Sequence, residues 1–111
     1  MMRRAIITVK GIKAGLLIED EHGYEFVYDQ SYAEQPNAQP VSLTLPVRRE
    51  PYRSERDLFP FFDGLIPEGW LLNIAELNWK INPRDRMGLL LACCRDCIGD
   101  VGVEELPETQ S

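Results

Sequence analysis

Long apolar runs are missing from this 111-residue chain, and no stretch approaches the ~20 consecutive apolar residues that a membrane-spanning helix needs. Bases are in the minority: 12 Lys and Arg stand against 18 Asp and Glu, giving a net charge of -6 and a pI near 4.7. That balance repels a phosphate backbone and argues against direct nucleic-acid binding, which depends on clustered Lys and Arg. Histidine occurs once, as His22, in a stretch that reads as a surface turn, without a second histidine or a partnered nucleophile for acid–base work. There is no Gly-rich phosphate loop, no Gly-x-Ser-x-Gly elbow and no kinase-type set of Lys with metal-binding Asp. An enzyme is not expected, and no cofactor or metal is called for.

What is present suits one ordinary domain, with 44% hydrophobic and 27% charged residues, large enough to bury roughly two thirds of the surface of its unfolded form. The opening residues Met1 to Val9 combine a basic pair with a short apolar run broken by Lys10, and read as a first strand instead of a signal peptide. Cytoplasmic residence is the expectation, and free cysteines suit a reducing compartment. Ala5 to Val9 is β-rich. Gly15 to Glu19 and Tyr24 to Tyr28 read as a hairpin around the turn Asp20-Glu-His-Gly23. Gln30 to Pro40 reads as a polar surface loop, and Val41-Ser-Leu-Thr-Leu45 alternates with period two, predicting a further strand that Pro46 ends. Trp70, Ile74, Leu77 and Ile81 lie at helical spacing, predicting an amphipathic helix over 68–81 that Asn82-Pro83 stops. Asp85 to Cys94 suits a second, more buried helix, and Gly99 to Leu106 a last strand. Strands, then helices, then a strand predict an α+β domain: a small antiparallel sheet formed mainly by the N-terminal half, two helices in the C-terminal half and a final strand. The domain is expected over 1–107, with 108–111 a frayed C-terminus.

The most informative segment is Leu58-Phe-Pro-Phe-Phe-Asp-Gly-Leu-Ile-Pro-Glu-Gly-Trp70. Its prolines and glycines fix an irregular backbone, while Phe59, Phe61, Phe62, Leu65 and Trp70 carry more apolar area than a loop needs. Contact with another macromolecule is the function this points to. Four arginines, Arg48, Arg49, Arg53 and Arg56, lie close by, whereas the C-terminal end carries Asp96, Asp100, Glu104, Glu105 and Glu108; a solvated face and an acidic tail account for such charge equally well. Asp63 and Glu68 are acids placed where a helix N-terminus favours them. Trp79 lies roughly 90° off the helix stripe that holds Trp70, so one of the two tryptophans is expected to be exposed. Cys94 and Cys97 have the spacing of a redox couple or of half a zinc site, but they follow an apolar helical run instead of opening a helix after a strand, which favours ordinary small thiols.

Phe61-Phe-Asp-Gly-Leu-Ile-Pro-Glu-Gly-Trp70 resembles the Phe-Phe-x-x-Leu-Leu-Pro-Glu-Gly segment of the N-terminal subdomain of HipA-type toxin kinases. Cys94-Arg-Asp-Cys-Ile-Gly-Asp-Val-Gly-Val103 resembles the family's later Gly-x-Asp-x-x-Gly-Ala-Val segment, with departures at Cys94, where the family has Gly, and Asp100, where it has Ala. Order, separation and the strand-rich opening agree over nearly the whole chain. In the family this subdomain precedes the kinase core; by itself it resembles HipS, the small protein of three-gene HipB–HipS–HipT toxin–antitoxin systems. The resemblance implies an antitoxin that binds a HipT-like Ser/Thr kinase near its active site, in a ternary complex whose HipB-like helix-turn-helix member handles DNA. The partner-binding residues are then expected to be Phe59, Phe61, Phe62, Asp63, Leu65, Ile66, Pro67, Glu68 and Trp70, with Arg53 and Arg56 in support and Trp70 projecting toward the kinase. Rival readings are a thiol redox protein using Cys94 and Cys97, or a truncated HipA fragment with no inhibitory role.

Overall fold

Two adjacent residues with positive φ, Lys10 (52°) and Gly11 (80°), reverse the chain between the first two strands, the dihedral signature of a type I′ hairpin turn whose twist matches that of the strands it joins. The computed structural model of the chain describes residues 3–66, 85–93 and 100–106. β1 (Arg3–Val9) pairs antiparallel with β2 (Ile12–Asp20), and β2 with β3 (Gly23–Tyr28). A short edge strand β4 (Tyr52–Ser54) lies beside β3, and the last strand β5 (Val101–Leu106) returns to pair antiparallel with β1. The sheet order is therefore β4-β3-β2-β1-β5, the antiparallel sheet of an α+β domain.

Alternation decides which face is buried. Ala5, Ile7 and Val9 of β1, Leu17 of β2 and Tyr24, Phe26 and Tyr28 of β3 point to one side and are buried, while their neighbours are half-exposed. The register slips between Ile7 and Thr8, leaving Ala14 without a partner on β1. On its other side the Ala14 carbonyl accepts the backbone N–H of Asp29 at 2.7 Å, which carries the β2–β3 pairing one residue past Gly15 and Tyr28.

Helices close the buried face. A single turn, α1 (Gln30–Ala33), buries Tyr32, whose ring stacks on Tyr28 at 6.3 Å. α2 (Pro60–Asp63) starts with proline at its first turn, where the missing N–H costs no hydrogen bond. It drives Phe62 into the centre of the core, edge-on to Phe26 at 5.4 Å and flanked by Phe59 and Phe61. α3 (Arg86–Cys93) buries Met87, Leu89 and Leu90. Asp85 caps it, its carboxylate accepting the N–H of Gly88 at 3.2 Å, which satisfies one of the free donors at a helix start.

The loops depart from the expectation in three places. Val41 to Leu45 is a turn, not a strand: Ser42 and Leu45 form an isolated bridge, because the Ser42 hydroxyl accepts the N–H of Thr44 at 3.2 Å and the Ser42 carbonyl accepts that of Leu45 at 3.0 Å. Such local bonds compete with a sheet ladder. Gln30 to Pro40 is not wholly loop, since its tyrosine pulls one helical turn onto the core. The Arg-rich stretch contributes β4, in which Arg53 sits opposite Glu25 and pairs with it at 3.1 Å and with Asp20 at 3.7 Å. The helix expected over 68–81 lies outside the described residues.

Candidate interaction site

The segment singled out by sequence divides into an inward and an outward part. Leu58, Phe59, Phe62 and Ile66 are buried, Phe62 completely. Phe59, Phe62 and Ile66 were expected to touch a partner; at 7%, 0% and 6% exposure they are core side chains that support the segment from beneath. The reason lies in their spacing: a single helical turn starting at Pro60 brings Phe59 and Phe62, three apart, onto one side. Phe61 and Leu65 are half-buried at the margin of that core, and Pro60 and Gly64 face outward. Pro67, Glu68 and Trp70 lie outside the described residues, as do Trp79, Cys94 and Cys97.

Beside α2 the surface opens into a cleft of about 430 Å³, lined by Tyr24, Arg56, Asp57, Leu58, Pro60, Asp63 and Arg86. The structure thus brings Asp63 and Arg56 together, and adds Arg86, Tyr24 and Pro60, which sequence reasoning passed over. Asp63 is engaged by Arg86 at 2.5 Å, an ion pair that ties α2 to α3. Arg56 is exposed on the rim. Arg53 is elsewhere, held across the sheet by Glu25 and Asp20. Arg48 is committed too: its guanidinium lies 3.6 Å over the ring of Tyr52 and donates to the carbonyls of Glu50 and Pro51.

Near Tyr24, one of the cleft's lining residues, runs a charged network. Arg3 of β1 donates two hydrogen bonds to Asp85, at 2.5 and 3.0 Å, and one to Glu19 of β2 at 2.6 Å. The guanidinium holds the Asp85 carboxyl below the usual carboxylate range, and the Asp85 bond in turn raises the pKa of Arg3. Burial, helped by the Glu19 carboxylate, pushes the Tyr24 phenol, which lines the cleft, up to about 12. Two cations, two carboxylates, a phenol, a leucine and a proline give the cleft a lining of mixed polar and apolar character. Among the described residues, no three His, Cys, Asp or Glu are grouped as a metal would require, and no helix is long and apolar enough to cross a membrane.

Residues 5–104 match the HipA N-terminal domain family. The chain belongs to that family. A protein of Haemophilus influenzae described as uncharacterized is 33% identical over 105 residues, covering 95% of this chain and 94% of that protein. A putative kinase of Sinorhizobium fredii, Y4mE, is 33% identical over 97 residues, 86% of this chain but only 22% of its own length. A solved structure described as the N-terminal domain of HipA toxin superposes with a TM-score of 0.71 at 31% identity, over 96% of this chain and 94% of that one. The HipA N-terminal domain fold and the resemblance carried by Phe61 to Trp70 therefore agree. This domain is related to components of HipA toxin–antitoxin systems, and its family ties it to HipA-type kinases.

Proposed function

We propose that this domain is a HipS-like antitoxin: it binds a HipT-like Ser/Thr kinase in trans and neutralises it by docking near the active site. The observation that carries this reading is a pair of coverages. The domain makes up 94% of one relative and 22% of a putative kinase, so the same fold occurs both at about this chain's length and as one part of a larger kinase chain. A domain that packs against a kinase body in one chain keeps a face suited to such a body when it is supplied separately.

The face is built from the outward part of the aromatic segment. Phe61 and Leu65 supply apolar area, Asp63 and Arg56 supply charge at the cleft, and Pro67, Glu68 and Trp70 extend it, with Trp70 the side chain aimed at the kinase. Phe59, Phe62 and Ile66 serve it from the core by fixing the backbone of α2. The domain itself performs no chemistry in this reading. It resides in the cytoplasm, and a HipB-like helix-turn-helix protein in the ternary complex contacts DNA, as a chain of net charge -6 is poorly suited to do so.

The test is recovery and rescue. Tagged protein drawn from its native cells should bring down a HipA-type kinase identified by mass spectrometry, and co-expression should restore growth against that kinase. Trp70→Ala with an unchanged fold should weaken the rescue. Absence of any kinase from the wild-type recovery rejects the reading.

A further inference from the structure

The Lys10 N–H donates to the Asp100 carbonyl at 2.7 Å, and from that bond the register Thr8↔Gly102, Ile6↔Glu104 and Arg4↔Leu106 runs on without a bulge. In an antiparallel ladder alternate residues turn their backbone groups toward the partner strand, so Gly102, Glu104 and Leu106 bond to β1. The N–H and C=O groups of Val101, Val103 and Glu105 therefore point away from the sheet. In the strand order β4-β3-β2-β1-β5, no strand lies beyond them among the described residues. Folded proteins guard such edges with short strands, prolines, bulges or charge. The opposite edge uses the first device, since β4 is three residues long. β5 has six residues and no proline, and charge is its one guard: Asp100, Glu104 and Glu105 are exposed, and none is paired with a cation among the described residues.

We propose that β5 is a docking edge that takes up an extended basic segment of another protein as a sixth strand, antiparallel as every other pair in the sheet is. Main-chain hydrogen bonds to Val101, Val103 and Glu105 hold the segment, and the side chains opposite β5 select it. Glu104 and Glu105 are adjacent and so stand on opposite faces of the sheet; a dibasic step in the incoming strand meets both. Val103, buried on the core side, and the half-buried Val101 favour β-branched residues opposite them. Charge decides the occupant. A second copy brings the same edge again and lines one seam with carboxylates of a single sign. The other edge of that copy is too short, and its Arg53 is already held by Glu25 and Asp20. The net charge of -6 draws a basic segment toward the domain. Two strands separate β5 from β3, whose Tyr24 lines the cleft, so this contact does not depend on the proposed function.

The probe is a peptide blocked at both ends, Thr-Lys-Lys-Val-Thr-Val-Lys, whose antiparallel pairing sets its lysines opposite Glu105, Glu104 and Asp100 and its valines opposite Val103 and Val101. Added to the full chain at a concentration equal to its Kd, it should slow amide exchange about twofold at Val101, Val103 and Glu105, because half of the edges are then covered. The same peptide N-methylated at its two valines keeps every charge but loses two main-chain donors, and should give no protection. Glu104→Lys combined with Glu105→Lys, both at exposed positions, should reverse the preference between this peptide and its counterpart with Glu for every Lys. No protection of the three outward amides by the basic peptide up to about 1 mM, the weak end of specific binding, overturns the inference. Equal protection by the N-methylated peptide overturns it too, since charge then adheres without strand pairing. So does light scattering in which the chain alone dimerises while the same three amides are protected without peptide, which gives the edge to a second copy.

Discussion

At the residue scale, single polar atoms hold turns and helices in place, and their removal is measurable. The Tyr28 hydroxyl satisfies a buried donor and a buried acceptor of the Val41–Leu45 turn at once. Tyr28→Phe leaves both without a partner, a cost of about 1–3 kcal/mol in urea unfolding, and it should loosen the turn that presents Leu43, seen as faster amide exchange at Val41. Burial also pushes the Tyr28 phenol up to about 12, and Tyr24 shares that value. A tyrosine whose folded pKa lies above its unfolded one stabilises the fold below the unfolded pKa and loses that contribution as pH rises toward the folded value. Stability should therefore fall between about pH 10 and 12, with the ultraviolet titration of these two phenols merging into unfolding. Asp85 works in the opposite sense. Its folded pKa is depressed by Arg3, so its contribution is complete above the ordinary value of 3.8 and disappears as pH falls through the folded pKa. Asp85→Asn should cost about 1 kcal/mol at pH 7, as a half-exposed bidentate pair does, and the gap to wild type should close below about pH 4.

At the scale of elements, what could be read from sequence depended on whether a pattern had one cause or two. Period-two alternation in β1 and β3, bounded by Gly11 and Gly23, has a single physical meaning, a strand with one wet face, and those strands form where expected. Val41, Leu43 and Leu45 show the same alternation for another reason. Val41 and Leu45 are anchors, and the Ser42 hydroxyl and carbonyl bend the chain between them, so Leu43 leaves the face that a strand would have shared. The aromatic segment was ambiguous in the same way. A run of phenylalanines signals apolar area, but only the helical turn after Pro60 decides that Phe59 and Phe62 go down and Phe61 stays at the margin. Arg3 with Asp85, 82 residues apart, and Arg86 with Asp63 could not be paired by spacing, because long-range ion pairs leave no local pattern. Gly23 offers a sharp test of element packing. Its φ is +136°, and a Cβ there would lie 2.2 Å from the Ser54 carbonyl oxygen. Gly23→Ala should separate β4 from β3, with loss of protection at Tyr52 and Arg53 in hydrogen exchange and a stability loss of about 2 kcal/mol or more.

At the scale of the whole molecule, the core and the proposed docking surface are two layers of the same short segments, so in the proposed function a substitution can reduce neutralisation by unfolding the domain or by spoiling contact. Phe62 and Arg56 separate these routes. Phe62→Ala removes a completely buried ring at a cost of about 3–5 kcal/mol, a large share of the 5–15 kcal/mol typical of a domain. If, as proposed, a kinase binds the folded form alone, its apparent affinity should fall with the folded fraction and recover on cooling toward the temperature of greatest stability or on adding an osmolyte. Arg56→Glu replaces an exposed cation at the rim of the cleft with an anion. It should leave the melting temperature within about 2 °C of wild type, since surface substitutions away from specific contacts change stability by less than about 0.5 kcal/mol. Affinity for the kinase should still drop, with a loss that salt reduces and that an osmolyte does not restore. If Arg56→Glu binds as wild type at low ionic strength while Phe62→Ala follows the folded fraction, the cleft is not part of the docking surface.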